Sequence, residues 1–148
     1  MRAVGRRLAA LVGAGDLVVL AGDLGAGKTT LVQGLAADLD VRGRVTSPTF
    51  VIARVHEPNA AGPALVHVDA YRLGGVAEVD DLDLDAALDE SVTVVEWGEG
   101  LVEELTDDRL EVVIGRPSGD AAGDTRTVRV TAVGARWSDV DLRALAAG

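Results

Sequence analysis

Gly22-Asp23-Leu24-Gly25-Ala26-Gly27-Lys28-Thr29 is the stretch from which the rest of this 148-residue chain is read. It meets G-x-x-x-x-G-K-[ST] at every fixed position. Glycines at this spacing let the backbone turn tightly enough to aim successive N–H groups at phosphate oxygens. Lys28 reaches the outer phosphates, and the Thr29 hydroxyl suits magnesium. The flanks are the ones this chemistry needs. Leu17 to Ala21 (LVVLA) is a continuous apolar run, as expected of a strand buried on both faces. Leu31, Leu35 and Leu39 then recur at i, i+4 and i+8, predicting a helix over 28–39 whose positive end adds to the phosphate site.

The same alternation continues outward. Val4, Leu8, Leu11 and Val12 fall near one face of a helix over 3–12. Arg6 and Arg7 interrupt its apolar stretch, so it reads as a helix and not as a signal peptide. Thr46 to Phe50 (TSPTF) is a loop entering a strand that runs to about Val55. Ala64 to Val68 and Val92 to Val95 are two further apolar strands. Residues 76–90 are acidic and partly helical, and 101–105 form a short helix. Arg109 to Ile114 and Thr125 to Val133 read as a late strand pair, and a small helix over 138–147 closes the chain. These elements predict one α/β domain over 1–148, a three-layer P-loop NTPase-type fold. Its sheet is mostly parallel, with a late antiparallel edge pair.

Composition narrows the function. There are no cysteines, which removes disulfides, thiol catalysis and Cys-based metal sites. No apolar run approaches the ~18–20 residues that cross a bilayer, and the expectation is a soluble, cytoplasmic protein. Acidic residues outnumber basic ones, 24 to 14, for a net charge of -10. Thirteen of the basic residues are arginine, and the single lysine is Lys28, on the motif position that needs a compact ammonium.

A nucleoside triphosphate site needs a second magnesium anchor, usually an acid that ends an apolar strand. Asp69 follows Ala-Leu-Val-His-Val and Glu96 follows Val-Thr-Val-Val. Both lie where strand ends face a ligand in an open parallel sheet, and the pattern does not choose between them. His67 reads as a core or packing histidine and His56 as a solvated strand end. Of four aromatic residues, Phe50, Tyr71 and Trp97 stand beside these polar candidates, and Trp97 can either stack on a ligand or anchor its loop. The acidic run Glu78 to Glu90 lacks the glycine and glutamate spacing of an EF-hand and reads as a solvated face.

With GDLGAGKTT, TSPTF, HVDAYR and VEWGE in this order, the chain resembles the TsaE (YjeE) family from about Ala3 to Val133. Those are small bacterial P-loop ATPases of tRNA threonylcarbamoyladenosine formation. The resemblance implies a subunit that binds ATP and magnesium and hydrolyses ATP weakly alone. With TsaB and TsaD it would serve threonylcarbamoylation of the adenosine next to the anticodon in tRNAs reading A-starting codons. It implies a nucleotide loop of Gly25, Ala26, Gly27, Lys28, Thr29 and Thr30, with Thr29 and Glu96 on the metal. It gives Asp69 a role in turnover, Thr49 a place in a switch segment near the outer phosphate, and Glu99 and Arg126 positions at the nucleotide. Family members carry a segment ahead of the first helix that helps cover the adenine, with a threonine about where Met1 stands here.

Two other readings share the loop: a small-molecule phosphotransferase and a nucleotide-sensing module that hydrolyses poorly. A kinase usually carries an Arg-rich lid, and between Gly98 and Gly123 only Arg109 and Arg116 are available. The net charge of -10 generates a first prediction. The isolated chain should bind tRNA weakly or not at all at physiological salt, since it repels the phosphate backbone. A filter-binding titration that gave tight binding with a steep salt slope would reveal a basic face that the composition conceals.

Overall fold

Leu17, Val18, Val19 and Leu20 are each at most 3% exposed, and a strand dry on both sides belongs in the middle of a sheet. In the computed structural model, which describes residues 1–23, 25–46, 53–69, 89–96, 107–116 and 125–146, that is where the first strand lies. In chain order the elements are α1 (Arg2–Ala9), β1 (Leu17–Gly22), α2 (Lys28–Leu39), β2 (Ala53–His56), β3 (Ala64–Asp69), β4 (Ser91–Glu96), β5 (Arg109–Gly115) and β6 (Thr127–Val133). The strands form one sheet in the order β2-β3-β4-β1-β5-β6. β3, β4, β1 and β5 run parallel, and β5 pairs with β6 antiparallel, as the sequence predicts.

The other edge adds something the sequence reading does not contain. β2 pairs antiparallel with β3, so the parallel core has an antiparallel strand on each side. The link between β2 and β3, residues 57–63, explains the direction. It is long enough for a hairpin and too short for the crossover of about a dozen residues that a parallel pair requires.

α1 and α2 cover one face of the sheet. Leu8, Leu31, Val32 and Leu35 pack there on Val18, Leu20, Leu65, Val92, Val94, Leu110, Val112 and Ile114. On the other face Leu17, Val19, Val66, Val68 and Val95 are also buried. The helices expected at 76–90 and 101–105 lie outside the described residues. The first helix is shorter than 3–12: after Ala9 the chain closes in a tight turn, with Leu11 N and Val12 N both donating to Leu8 O. In place of a continuous helix from 138, two 3₁₀ turns occupy Ala135–Trp137 and Leu142–Ala146. Ser138 Oγ donates to Ala135 O, and Asp141 Oδ1 accepts from Arg143 N, local bonds that compete with helix propagation. No helix among the described residues is long and apolar enough to cross a membrane.

The two helices meet backbone to backbone. A Cβ on Gly5 would run into the carbonyl oxygen of Leu31, and one on Gly34 into that of Arg2. Contact this close leaves no room for a side chain at either position. Gly34→Val should therefore cost about 1–3 kcal/mol, read as a lower urea midpoint. Ala37→Val, exposed on the same helix, should cost only the helix propensity difference of about 0.5 kcal/mol.

Candidate functional site

β1 ends at Gly22 and α2 begins at Lys28, so the glycine loop sits at the carboxyl edge of the central strand. Gly25 and Gly27 hold φ of 79° and 114°, left-handed values that cost an L side chain free energy. Ala26 N donates to Asp23 O at 2.9 Å, closing the turn, and Leu31 N donates to Gly27 O at 3.0 Å, starting the helix. Gly27 caps α2 without a side-chain hydrogen bond, which leaves the first-turn amides for another acceptor. Backbone donors with this curvature suit an anion.

Lys28 is only 7% exposed. Its Nζ donates to Gly22 O at 2.6 Å and to Asp23 O at 3.2 Å, which folds the side chain back along the loop. Burial pushes the Lys28 pKa below its ordinary value; the negative charges of Glu96, Asp69 and Asp23, in that order, oppose the shift. The two candidate acids thus converge electrostatically on the one lysine.

The sheet register explains why. Leu20 on β1 is level with Glu96 on β4, and Glu96 is level with Asp69 on β3. Side chains alternate along strands, so Gly22, Glu96 and Asp69 share the helix-covered face at the carboxyl edge. Glu96 is 3% exposed, so it is not a solvated strand end, while Asp69 is half-buried. His67 is fully buried, as the sequence reading expects, and its Nε2 lies 3.2 Å from Glu96 Oε2. His56 corrects an expectation. It ends β2, but it is 6% exposed, because its Nδ1 bonds Arg42 O at 2.9 Å beside the open backbone of Gly43.

On the outer side of the loop lies an open pocket of 430 Å³ lined by Met1, Gly25, Ala26, Gly27, Thr30 and Arg126. Its volume is within the range of small-ligand clefts, about 300–1,000 Å³. The expected nucleotide residues from Gly25 to Thr30 and Arg126 are therefore brought together, with Thr29 in the first turn of α2. Thr49 and Glu99 lie outside the described residues, as do Phe50, Tyr71 and Trp97. The donor set fits a hard cation that keeps most of its water: one buried carboxylate, Glu96, and the Thr29 hydroxyl. Among the described residues no three His, Asp or Glu cluster as a self-sufficient metal cage.

Two neighbours of the loop are not evident from motif reading. Met1 packs on Gly27, where an added Cβ would come within 2.8 Å of the Met1 Cγ. Arg116 brings Nη1 to 3.8 Å from where a Cβ on Gly25 would stand. Gly115 pairs with Thr127, so Arg116 and Arg126 flank the open end of the β5–β6 pair, beside the loop. Only the strand register reveals this.

The family profile described as "Threonylcarbamoyl adenosine biosynthesis protein TsaE" matches residues 1–127. This chain belongs to the TsaE family. A tRNA threonylcarbamoyladenosine biosynthesis protein TsaE from Streptomyces coelicolor is 63% identical over 147 residues, 99% of each chain. The protein of that name from Bacillus subtilis is 40% identical over 137 residues, covering 92% of this chain and 82% of the relative. The crystal structure of Bacillus subtilis YdiB superposes with a TM-score of 0.68 at 34% identity, covering 92% of this chain and 80% of the other. The TsaE fold thus agrees with a P-loop-like α/β sheet that carries the antiparallel β5–β6 pair.

Lys28→Arg is the sharpest test of the loop. A planar guanidinium cannot take the place of a compact ammonium between the Gly22 and Asp23 carbonyls. Loss of one charge-assisted contact is worth about 1.5–3 kcal/mol, so triphosphate affinity should fall at least about tenfold by calorimetric titration. Lys28→Ala should lose it as well, with the circular dichroism spectrum retained. Unchanged affinity in Lys28→Arg would count against the site.

Proposed function

We propose that the chain is an ATP-binding, weakly ATP-hydrolysing subunit for threonylcarbamoylation of tRNA adenosine next to the anticodon, in tRNAs reading A-starting codons, and that it acts with TsaB and TsaD. The observation that carries this reading is the parallel register that sets Glu96 and Asp69 at adjacent strand ends on the face of the glycine loop, whose Lys28 Nζ is held by Gly22 O. Membership of a family named for threonylcarbamoyl adenosine biosynthesis supplies the pathway.

In this reading the backbone amides of Gly25 to Thr30 cradle the phosphates and Lys28 balances their charge. Magnesium, when bound, neutralises charge on the outer phosphates, and Thr29 and Glu96 are the residues that would hold it. Asp69 orients the attacking water or couples turnover to the partners. Arg126 and Met1, which line the pocket beside the loop, would border the nucleoside. Thr49 and Glu99 keep the roles that family resemblance implies. The -10 charge favours a division of labour in which protein partners contact the tRNA. Localisation in the cytoplasm, where tRNA is modified, belongs to the same proposal.

A phosphotransferase is the alternative from the same loop. Arg109 is engaged with Glu111 at 2.8 Å, which removes one of the two arginines that a lid would use. A screen of small hydroxyl acceptors beside phosphate release, with and without TsaB and TsaD, separates the two.

The paired acids give the decisive test. A metal-holding acid acts on the bound ground state, whereas a water-orienting acid matters when the bond breaks. Glu96→Ala should weaken ATP binding in magnesium by about tenfold or more and leave magnesium-free binding nearly unchanged. Asp69→Ala should keep or tighten ATP binding and lose turnover in the assembled complex. The opposite pattern in affinity titrations would exchange the two roles.

A further inference from the structure

His67 sits at the centre of β3, level with Val94 on β4 and two residues short of Asp69. It is fully buried, and neither ring nitrogen has an aligned hydrogen-bond partner among the described residues. Its Nε2 nevertheless stands 3.2 Å from Glu96 Oε2, in a pair whose side chains are 0% and 4% exposed. A packing role alone would be met by leucine or methionine. An imidazole taken into a dry sheet interior loses its hydration, and native interiors recover that loss by giving the ring a partner. The carboxylate of Glu96 is an acceptor within reach of Nε2. Of the acids that oppose the lowering of the Lys28 pKa, Glu96 contributes most.

We propose that His67 is a positioning residue for Glu96: its Nε2–H holds Oε2, which leaves Oε1 on the side of the glycine loop. The inference rests on the nucleotide reading above and adds to it a supporting residue behind the metal acid. A carboxylate that ligates through one oxygen needs its other oxygen fixed, or it swings between ligating and non-ligating poses. Partners of this kind behind a ligand typically change metal affinity about 10–100-fold when removed.

Two conservative replacements separate the roles of the ring atoms. Glutamine puts its amide nitrogen near the place of Nε2, and asparagine puts it near Nδ1. His67→Gln should keep the magnesium concentration for half-maximal ATP binding within about threefold, and His67→Asn should raise it at least tenfold. Magnesium-free ATP affinity should be equal in both, which a general packing defect would not allow. Equal magnesium requirements in the two variants would overturn the proposal. A second measurement needs no variant and no metal: nitrogen-15 NMR of the unmodified chain should find the His67 ring protonated on Nε2. A ring protonated on Nδ1 alone would overturn it too. Nucleotide binding by the unmodified chain that ignores magnesium would remove the nucleotide-site reading and this inference together. A normal magnesium dependence shared by His67→Asn would remove only this inference.

Discussion

One buried ammonium organises the site. Lys28 is held at 2.6 Å by the carbonyl of Gly22, the last residue of the central strand, so its charge is tied to the middle of the sheet. A cation so little hydrated needs compensating charge. Glu96 and Asp69 provide it from neighbouring strands, at a level set by the parallel register. The lysine's charge makes the burial of Glu96 beside it tolerable. Remove that charge and two acids remain level with each other at adjacent strand ends, without the cation that offsets them.

The scaffold around this group has little slack. α2 carries the lysine, and α1 lies against α2 at the glycine pair Gly5 and Gly34, which sets Met1 on Gly27. The first helix is therefore a wall of the site and not an appendage. Arg136, which donates to both Asp16 and the Leu11 carbonyl, ties the end of that wall to the C-terminal turns.

Much of this was legible in the residues, and for physical reasons. The run Leu17 to Ala21 has no polar side chain, so it could only be a strand buried on both faces. The loop needs its glycines for backbone shape, and the sole lysine for charge. Less legible was whatever depends on neighbours distant in sequence. Asp69 and Glu96 look alike at the ends of apolar runs; only the sheet shows one half-buried and the other dry. His56 looked solvated because nothing local announces the carbonyl of Arg42. The antiparallel direction of β2 was implicit in the short link after His56, a cue about length that the apolar pattern does not carry. The closing helix gives way to 3₁₀ turns because Ser138 bonds the Ala135 carbonyl and Asp141 the Arg143 amide, which outweighs the apolar spacing.

The order of the strands also governs how the chain can reach this state. β1 is made early, yet its neighbours are β4 and β5: Leu17 pairs with Thr93 and Val18 with Leu110. Such distant pairings close only after long loops have been ordered, which makes folding slow compared with a fold built from local contacts. On the ribosome the glycine loop emerges well before the strands that fix it. A nascent chain released before β5 would keep an apolar central strand with one open edge, and open edges recruit other chains. The strand that holds Lys28 in place is thus also the segment most in need of protection until synthesis is nearly complete.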